Sequence, residues 1–214
     1  MLTIGVLISG SGTNLQAILD RVADGTLPVH VGLVLCNRPG AHGLERATRA
    51  GVPTRVVDHR SFARREDFDA AVLDALRAAE VELVALAGFD RLVTRTLLDA
   101  FPHRVINIHP ALLPAFKGLH AQQQALDYGV RVTGATVHFV DEALDHGPII
   151  LQGAVAIDPD DDVETITARV LGVEHQIYPE AIRLFAENRL SLVGRRVHIH
   201  GRSPALPQPL VRRY

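Results

Sequence analysis

The feature that most constrains this chain is the regular exchange of short apolar runs with segments of helical periodicity over its first hundred residues. Leu2 to Ile8 is a near-continuous apolar run, as a strand buried on both faces requires. Asn14 to Asp24 places Leu15, Ile18, Leu19 and Val22 on one helical face, and Gly25 supplies a stop. Val29 to Leu35 reads as a second strand, Leu44 to Ala50 as a short helix ended by Gly51, and Thr54 to Val57 as a third strand. A helix over about residues 61–79 spaces Phe68, Ala71, Val72, Ala75, Leu76 and Ala79 by threes and fours. Leu83 to Ala87 and Val105 to Ile108 supply two more strands. Strands that alternate with helices connect by right-handed crossovers. The fold class expected is α/β, an open and mostly parallel twisted sheet with helices on both faces.

The second half changes character. Leu119 to Tyr128 reads as a helix, Val132 to Val140 alternates like a half-exposed strand, and Pro148 to Ile157 is a further strand. Antiparallel strands are therefore expected in this half. Asp158 to Asp162 reads as a turn and helix start, since acidic residues suit a helix N-terminus. Ile166, Val170, Val173, Ile177, Ala181 and Leu184 then mark one face of a long helix, which Pro179 should kink. Five arginines and three prolines after residue 190 read as a surface tail with at most one edge strand. The expected organisation is a single domain over residues 1–190, with lobes at 1–100 and 101–190, and a tail at 191–214.

Composition narrows the classes of partner. The formal charge of −2 gives no support for bulk attraction to nucleic acid or membranes. One cysteine, Cys36, leaves no intramolecular disulfide and fits a reducing cytosol. No apolar run approaches the roughly 20 residues that span a bilayer, and the N-terminus moves straight into a strand without a leader pattern. A cytoplasmic protein acting on small molecules is expected. Among 11 histidines there is no Cys pair, HExxH or two-His-plus-carboxylate spacing, so no metal is expected.

Three places carry candidate chemistry. Ser9-Gly10-Ser11-Gly12-Thr13-Asn14 joins the first strand to the first helix. Glycines let the backbone approach a ligand, and a helix N-terminus favours an anion. The loop lacks the third glycine of a dinucleotide fingerprint and the lysine of a P-loop, which favours a monophosphate. Its plainer reading is a tight turn with Thr13 or Asn14 as helix cap. Asn107 and His109, two apart at a strand end, share one face. Pro110 and Pro114 then stop the strand. A neutral donor beside an ionisable ring suits an oxygen that gains negative charge; a satisfied core histidine is the alternative. Asp145, in Asp-His-Gly-Pro, is a carboxylate able to reach His109 and raise its pKa, or else only the cap of that turn.

These residues resemble a known family. Leu7 to Ile18, Ala87-Gly88-Phe89, Asn107-Ile108-His109-Pro110 through Gly118-Leu119-His120, and Leu144 to Gln152 resemble the phosphoribosylglycinamide formyltransferases, over about residues 3–190. The resemblance implies transfer of a formyl group from 10-formyltetrahydrofolate, as co-substrate, to the amine of glycinamide ribonucleotide. It implies that Asn107, His109 and Asp145 are catalytic. Gly12, Thr13, Asn14 and Glu174 would hold the phosphoribosyl substrate. Arg65, Asp90, Arg91, Leu92, Val93, Asn107, Asp141, Glu142, Ala143, Leu144 and Asp145 would contact the folate, although Arg65 reads equally as a solvated helix charge. A homodimer stays open, and Leu113-Pro114 is expected to be cis.

Some positions depart from the family pattern. Asp90 stands where an apolar residue is usual, and a carboxylate beside a pterin is odd unless it turns away. Gln122, Gln123 and Gln124 replace a region that often carries His or Arg, and Leu171 is apolar near the sugar contact. Rival readings are methionyl-tRNA formyltransferase, for which no room is expected after residue 190; formyltetrahydrofolate hydrolase, expected to begin with an extra domain; and a non-catalytic nucleotide-binding module.

Overall fold

The structure is a computed structural model, and it describes residues 1–201. The remaining residues of the expected tail, 202–214, lie outside the described residues. The strands and helices alternate as β1 (Leu2–Ile8), α1 (Thr13–Ala23), β2 (Val29–Cys36), α2 (His42–Arg49), β3 (Thr54–Val56), α3 (Arg65–Ala78), β4 (Leu83–Leu86), α4 (Arg95–Leu98) and β5 (Val105–His109). They continue as α5 (Ala121–Tyr128), β6 (Val132–Phe139), β7 (Ile149–Ala156), α6 (Val163–Ala186), β8 (Leu190–Val193) and β9 (Arg196–Ile199). Seven strands form one sheet in the order β3-β2-β1-β4-β5-β6-β7. The pairs among β1 to β5 are parallel, and β6 pairs with β7 antiparallel. This is the expected class.

The chain divides into two compact units, residues 1–107 with 139–142, and residues 108–138 with the chain from 143 onward. In the first unit the apolar face of α3 meets the sheet. Phe68, Val72 and Leu76 are buried in one cluster with Leu7, Leu35 and Val84. Each such side chain contributes about 1.5–3 kcal/mol through burial. Fourteen residues in α3 start later than periodicity implied, because a 3-10 turn occupies His59–Ser61. Asp58 caps that turn by accepting from the Arg60 N–H at 3.0 Å. The four-residue α4 had no signal in the sequence; one turn is too short for periodicity to show.

In the second unit α6 is the main support. Asp162 starts it, accepting from the Thr165 N–H at 2.8 Å, as the acidic run implied. Ile166, Val170, Ile177 and Tyr178 are buried along it, and the helix runs unbroken in its secondary structure through Pro179. Gly153 of β7 leaves the space that Val173 of α6 fills. β6 corrects an expectation. It is buried at every position but Val132, not half-exposed. Thr136 is satisfied by the protein instead of water: its hydroxyl donates to the Ala111 carbonyl at 2.7 Å and accepts from the Leu113 N–H at 3.0 Å. Those bonds brace the turn that contains the cis Leu113-Pro114 peptide. Residues 190–199, expected as tail with at most one strand, form the antiparallel β8–β9 hairpin.

Candidate active site

Open α/β sheets collect ligands at the carboxyl ends of their strands, and the first unit presents its candidates there. The loop after β1 ends at Gly12, which caps α1 in the left-handed region at φ 71° without any side-chain capping bond. Thr13 and Asn14, the residues expected as cap, are the first two helical residues. The close approach of α2 fixes the glycine: a Cβ on Gly12 would lie 2.6 Å from the Cα of Gly43, and the Gly43 N–H donates to the Gly10 carbonyl at 3.0 Å. Thus Gly12, Thr13 and Asn14 form a helix start with glycine geometry and no side-chain capping bond, the arrangement that suits an anion.

The segment after β4 holds four folate candidates. Asp90 turns its carboxylate toward the loops after β1 and β2. Its Oδ1 accepts from the Ser9 hydroxyl at 2.8 Å and the Asn37 amide at 2.9 Å, and its Oδ2 pairs with Arg38. Burial raises the Asp90 pKa, but the Asn37 and Ser9 bonds and the Arg38 charge outweigh it and hold the carboxyl below its usual value. Leu92 is exposed, while Arg91 and Val93 are half-buried. The far end of the segment is held by Asp69, which accepts from the Thr94 N–H at 2.5 Å. Burial pushes the Asp69 carboxyl up. Glu142 joins this group through an ion pair with Arg95 at 2.6 Å, and Asp141 precedes it in the same unit. Arg65 does not join it: it is exposed at the first position of α3, with no bond to the other candidates among the described residues.

Asn107 and His109 sit on β5, where alternation puts positions two apart on one face. In the second unit His109 is 4% exposed and its Nδ1 lies 3.4 Å from Oδ2 of Asp145. Its Nε2 lies 2.9 Å from the Phe116 carbonyl oxygen, which can only accept, so this nitrogen carries the proton. Asp145 also accepts from the Gly118 N–H at 2.8 Å and faces Nε2 of His138 at 3.8 Å. Asp145 and Phe116 both adopt left-handed backbone, φ 45° and 50°. Such conformations cost about 1–3 kcal/mol and concentrate at functional sites. The charge state of His109 corrects an expectation. Asp145 and the Phe116 carbonyl do favour the charged ring, but burial is the larger influence, His138 adds to it, and the pKa of His109 falls below 6.5. Burial raises the Asp145 carboxyl, yet His138, the Gly118 N–H and the charge of His109 outweigh it and hold it low.

His138 is the residue that sequence reasoning missed as part of this cluster. It is 2% exposed near the end of β6. The available signal was a histidine inside a strand otherwise built of small and apolar residues. Ala143 and Leu144 precede Asp145, with Leu144 about half exposed. Glu174 stands on α6 at 4% exposure, a buried carboxylate whose charge raises the pKa of Tyr178 beyond the effect of burial. Among the described residues no three His, Cys, Asp or Glu side chains are grouped to hold a metal ion.

Comparison with known proteins fits this geometry. The pattern of the formyl transferase family matches residues 2–182. A phosphoribosylglycinamide formyltransferase of Haemophilus influenzae is 40% identical over 208 residues, covering 97% of both chains. The trifunctional purine biosynthetic protein adenosine-3 of Drosophila melanogaster is 48% identical over 183 residues, which are 85% of this chain; the match spans only 14% of that protein. The crystal structure of glycinamide ribonucleotide transformylase 1 from Symbiobacterium toebii superposes with a TM-score of 0.92 at 57% identity, covering 93% of this chain and 94% of that one. With the family pattern over most of its length and the same fold, the chain belongs to the formyl transferase family.

Proposed function

We propose that the chain transfers the formyl group of 10-formyltetrahydrofolate to the amine of glycinamide ribonucleotide, a step of purine synthesis. The observation that carries the reading is the buried His109–Asp145 pair, 3.4 Å apart, with Asn107 two residues before His109 on β5. The full-length relative in Haemophilus influenzae bears the name of this activity. The amine nitrogen attacks the formyl carbon, the carbonyl π electrons move to oxygen, and a tetrahedral oxyanion forms. The Asn107 amide N–H and the Nε2–H of His109 donate hydrogen bonds to that oxygen. The C–N bond to the folate then breaks, and the proton from the attacking amine reaches the leaving nitrogen by way of His109 or a water held by Asp145. Product is the formylated amide and tetrahydrofolate.

In this reading Gly12, Thr13 and Asn14 receive the phosphate, and Glu174 contacts the ribose or glycinamide end. Arg91, Leu92 and Val93, with residues 141–145, contact the folate. Arg65 is assigned to the folate tail by resemblance alone. The lobes expected at 1–100 and 101–190, a homodimer and a cytoplasmic setting belong to the same proposal; Cys36, buried and free, fits a reducing compartment.

The test is a formyl-transfer assay with three acceptors: glycinamide ribonucleotide, water and aminoacyl-tRNA. Rapid turnover with the first alone is the expected result. Preferential hydrolysis, or transfer to the tRNA, would replace the reading by one of its rivals, and inertness toward all three would leave a binding module.

A further inference from the structure

We infer that Asp90 is a positioning residue that clamps the Ser9–Asn14 loop to the Asp90–Val93 segment, so that the phosphate-binding and folate-binding edges of the first unit move as one body. This rests on the functional reading above. β2, β1 and β4 are neighbours in the sheet, and the three loops that leave their carboxyl ends carry Asn37, Ser9 and Asp90. Asp90 gathers all three. Its Oδ1 accepts from the Ser9 hydroxyl at 2.8 Å and from the Asn37 amide at 2.9 Å, and Oδ2 pairs with Arg38. The Asp90 N–H donates back to the Ser9 hydroxyl at 2.9 Å, and the Ser9 N–H donates to the Gly88 carbonyl at 3.1 Å. Ser9 is thus held from both backbone and side chain by the segment expected to line the folate.

The partners are built to stay in place. Asn37 is fully buried, and its backbone carbonyl oxygen lies 2.9 Å from Nδ1 of His59. Ser9 is 8% exposed. Asp69, at the Thr94 N–H, holds the other end of the segment on α3. An apolar side chain at position 90 would supply no acceptor for the Ser9 hydroxyl, the Asn37 amide or the Arg38 guanidinium. The carboxylate that looked misplaced beside a pterin therefore has a structural purpose directed at the other substrate. Reactions between two bound substrates are sensitive to small misplacements of either, because orientation supplies much of the rate.

Steady-state kinetics on the intact chain, with each substrate varied in turn, tests the clamp in Ser9→Ala, Asp90→Asn and the double variant. A shared clamp crosses the substrates. Ser9→Ala is expected to raise KM for 10-formyltetrahydrofolate, and Asp90→Asn to raise KM for glycinamide ribonucleotide, each by about threefold to tenfold, the lower part of the range for groups in direct contact. The double variant should be no worse than the worse single one. Changes confined to the substrate nearest each residue, additive in the double variant, would overturn the inference. So would lowered melting temperatures with unaltered KM values. Should Asp90→Asn fail to fold, Ser9→Ala alone carries the crossed readout. A wild-type protein that does not formylate glycinamide ribonucleotide overturns the functional reading and the clamp together; one that does, with uncrossed variants, overturns the clamp alone.

Discussion

The Nε2 of His109 lies 2.9 Å from the carbonyl oxygen of Phe116, a residue held at φ 50°. Its Nδ1 faces Asp145 at 3.4 Å. Both nitrogens therefore look at acceptors, a setting complete only for the doubly protonated ring. Burial works against that charge and prevails, so the ligand-free ring is held toward neutrality. An oxyanion arriving at the ring adds its negative charge to that of Asp145, and it competes with the Phe116 carbonyl for the same N–H.

The two donors assigned to the oxyanion give the first expectation. Asn107→Ala and His109→Ala should each fold and lose on the order of 10²–10³ in kcat, the usual cost of removing one oxyanion donor. Circular dichroism and turnover measured on the same samples check this. Near-wild-type turnover in both variants would remove the assignment.

The neighbours of His109 push its pKa in opposite directions, and NMR titration of the ring can separate them. The free protein should titrate below 6.5. Asp145→Asn removes the carboxylate that favours the charged ring, so the value should fall further. His138→Phe removes a like charge, so the value should rise. A bound tetrahedral analogue with an oxyanion should raise it too. The linkage sign follows: between the folded value and 6.5 the unfolded chain binds this proton more readily, so stability from His109 is present above 6.5 and is lost as pH falls through that window.

Gly12→Ala tests the phosphate loop. A Cβ there would lie 2.6 Å from the Gly43 Cα, at a φ of 71°. Backbone must shift, at a cost of about 1–3 kcal/mol for a strained left-handed site. Urea unfolding should show that loss. Calorimetry should show weakened binding of glycinamide ribonucleotide, since the first helical N–H groups would turn with the loop. Unchanged affinity would make the loop a turn and nothing more.

Asp162→Ala addresses α6. The carboxylate accepts from both the N–H and the hydroxyl of Thr165 at 2.8 Å. Its loss should lower stability, with kcat unaltered, because the cap supports the helix end and touches no candidate catalytic group. The Asp162 carboxyl is held low by those Thr165 bonds, so this contribution fades as pH falls through the carboxylate range.

Much of this arrangement is legible along the chain. Apolar runs such as Leu2 to Ile8, and the spacing of Phe68, Val72 and Leu76, state their own periods, and a parallel sheet follows because crossovers have one hand. Asn107 and His109 are legible as a pair for the same reason: a strand's period is two. β6 is buried where its alternation implied a half-exposed strand, because Thr136 is dry and bonded to the Ala111 and Leu113 backbone. A histidine inside a strand of small and apolar residues marks His138 as unusual, but which carboxylate it meets is set by the fold and not by its neighbours in sequence.

Local order, the strand that carries Asn107 and His109, and the glycine turn at Gly12 were determined by the sequence, since each depends on a few consecutive residues and on the stereochemistry of one strand or one turn. The partners of Asp90, the neighbours of Asp145 and the charge of His109 were decided only by the tertiary structure. Ser9 and Asp90 are 81 positions apart and share a bond of 2.8 Å. Whether His109 is charged depends on how much water the fold removes from around it, a property of the enclosing fold that no stretch of residues carries by itself.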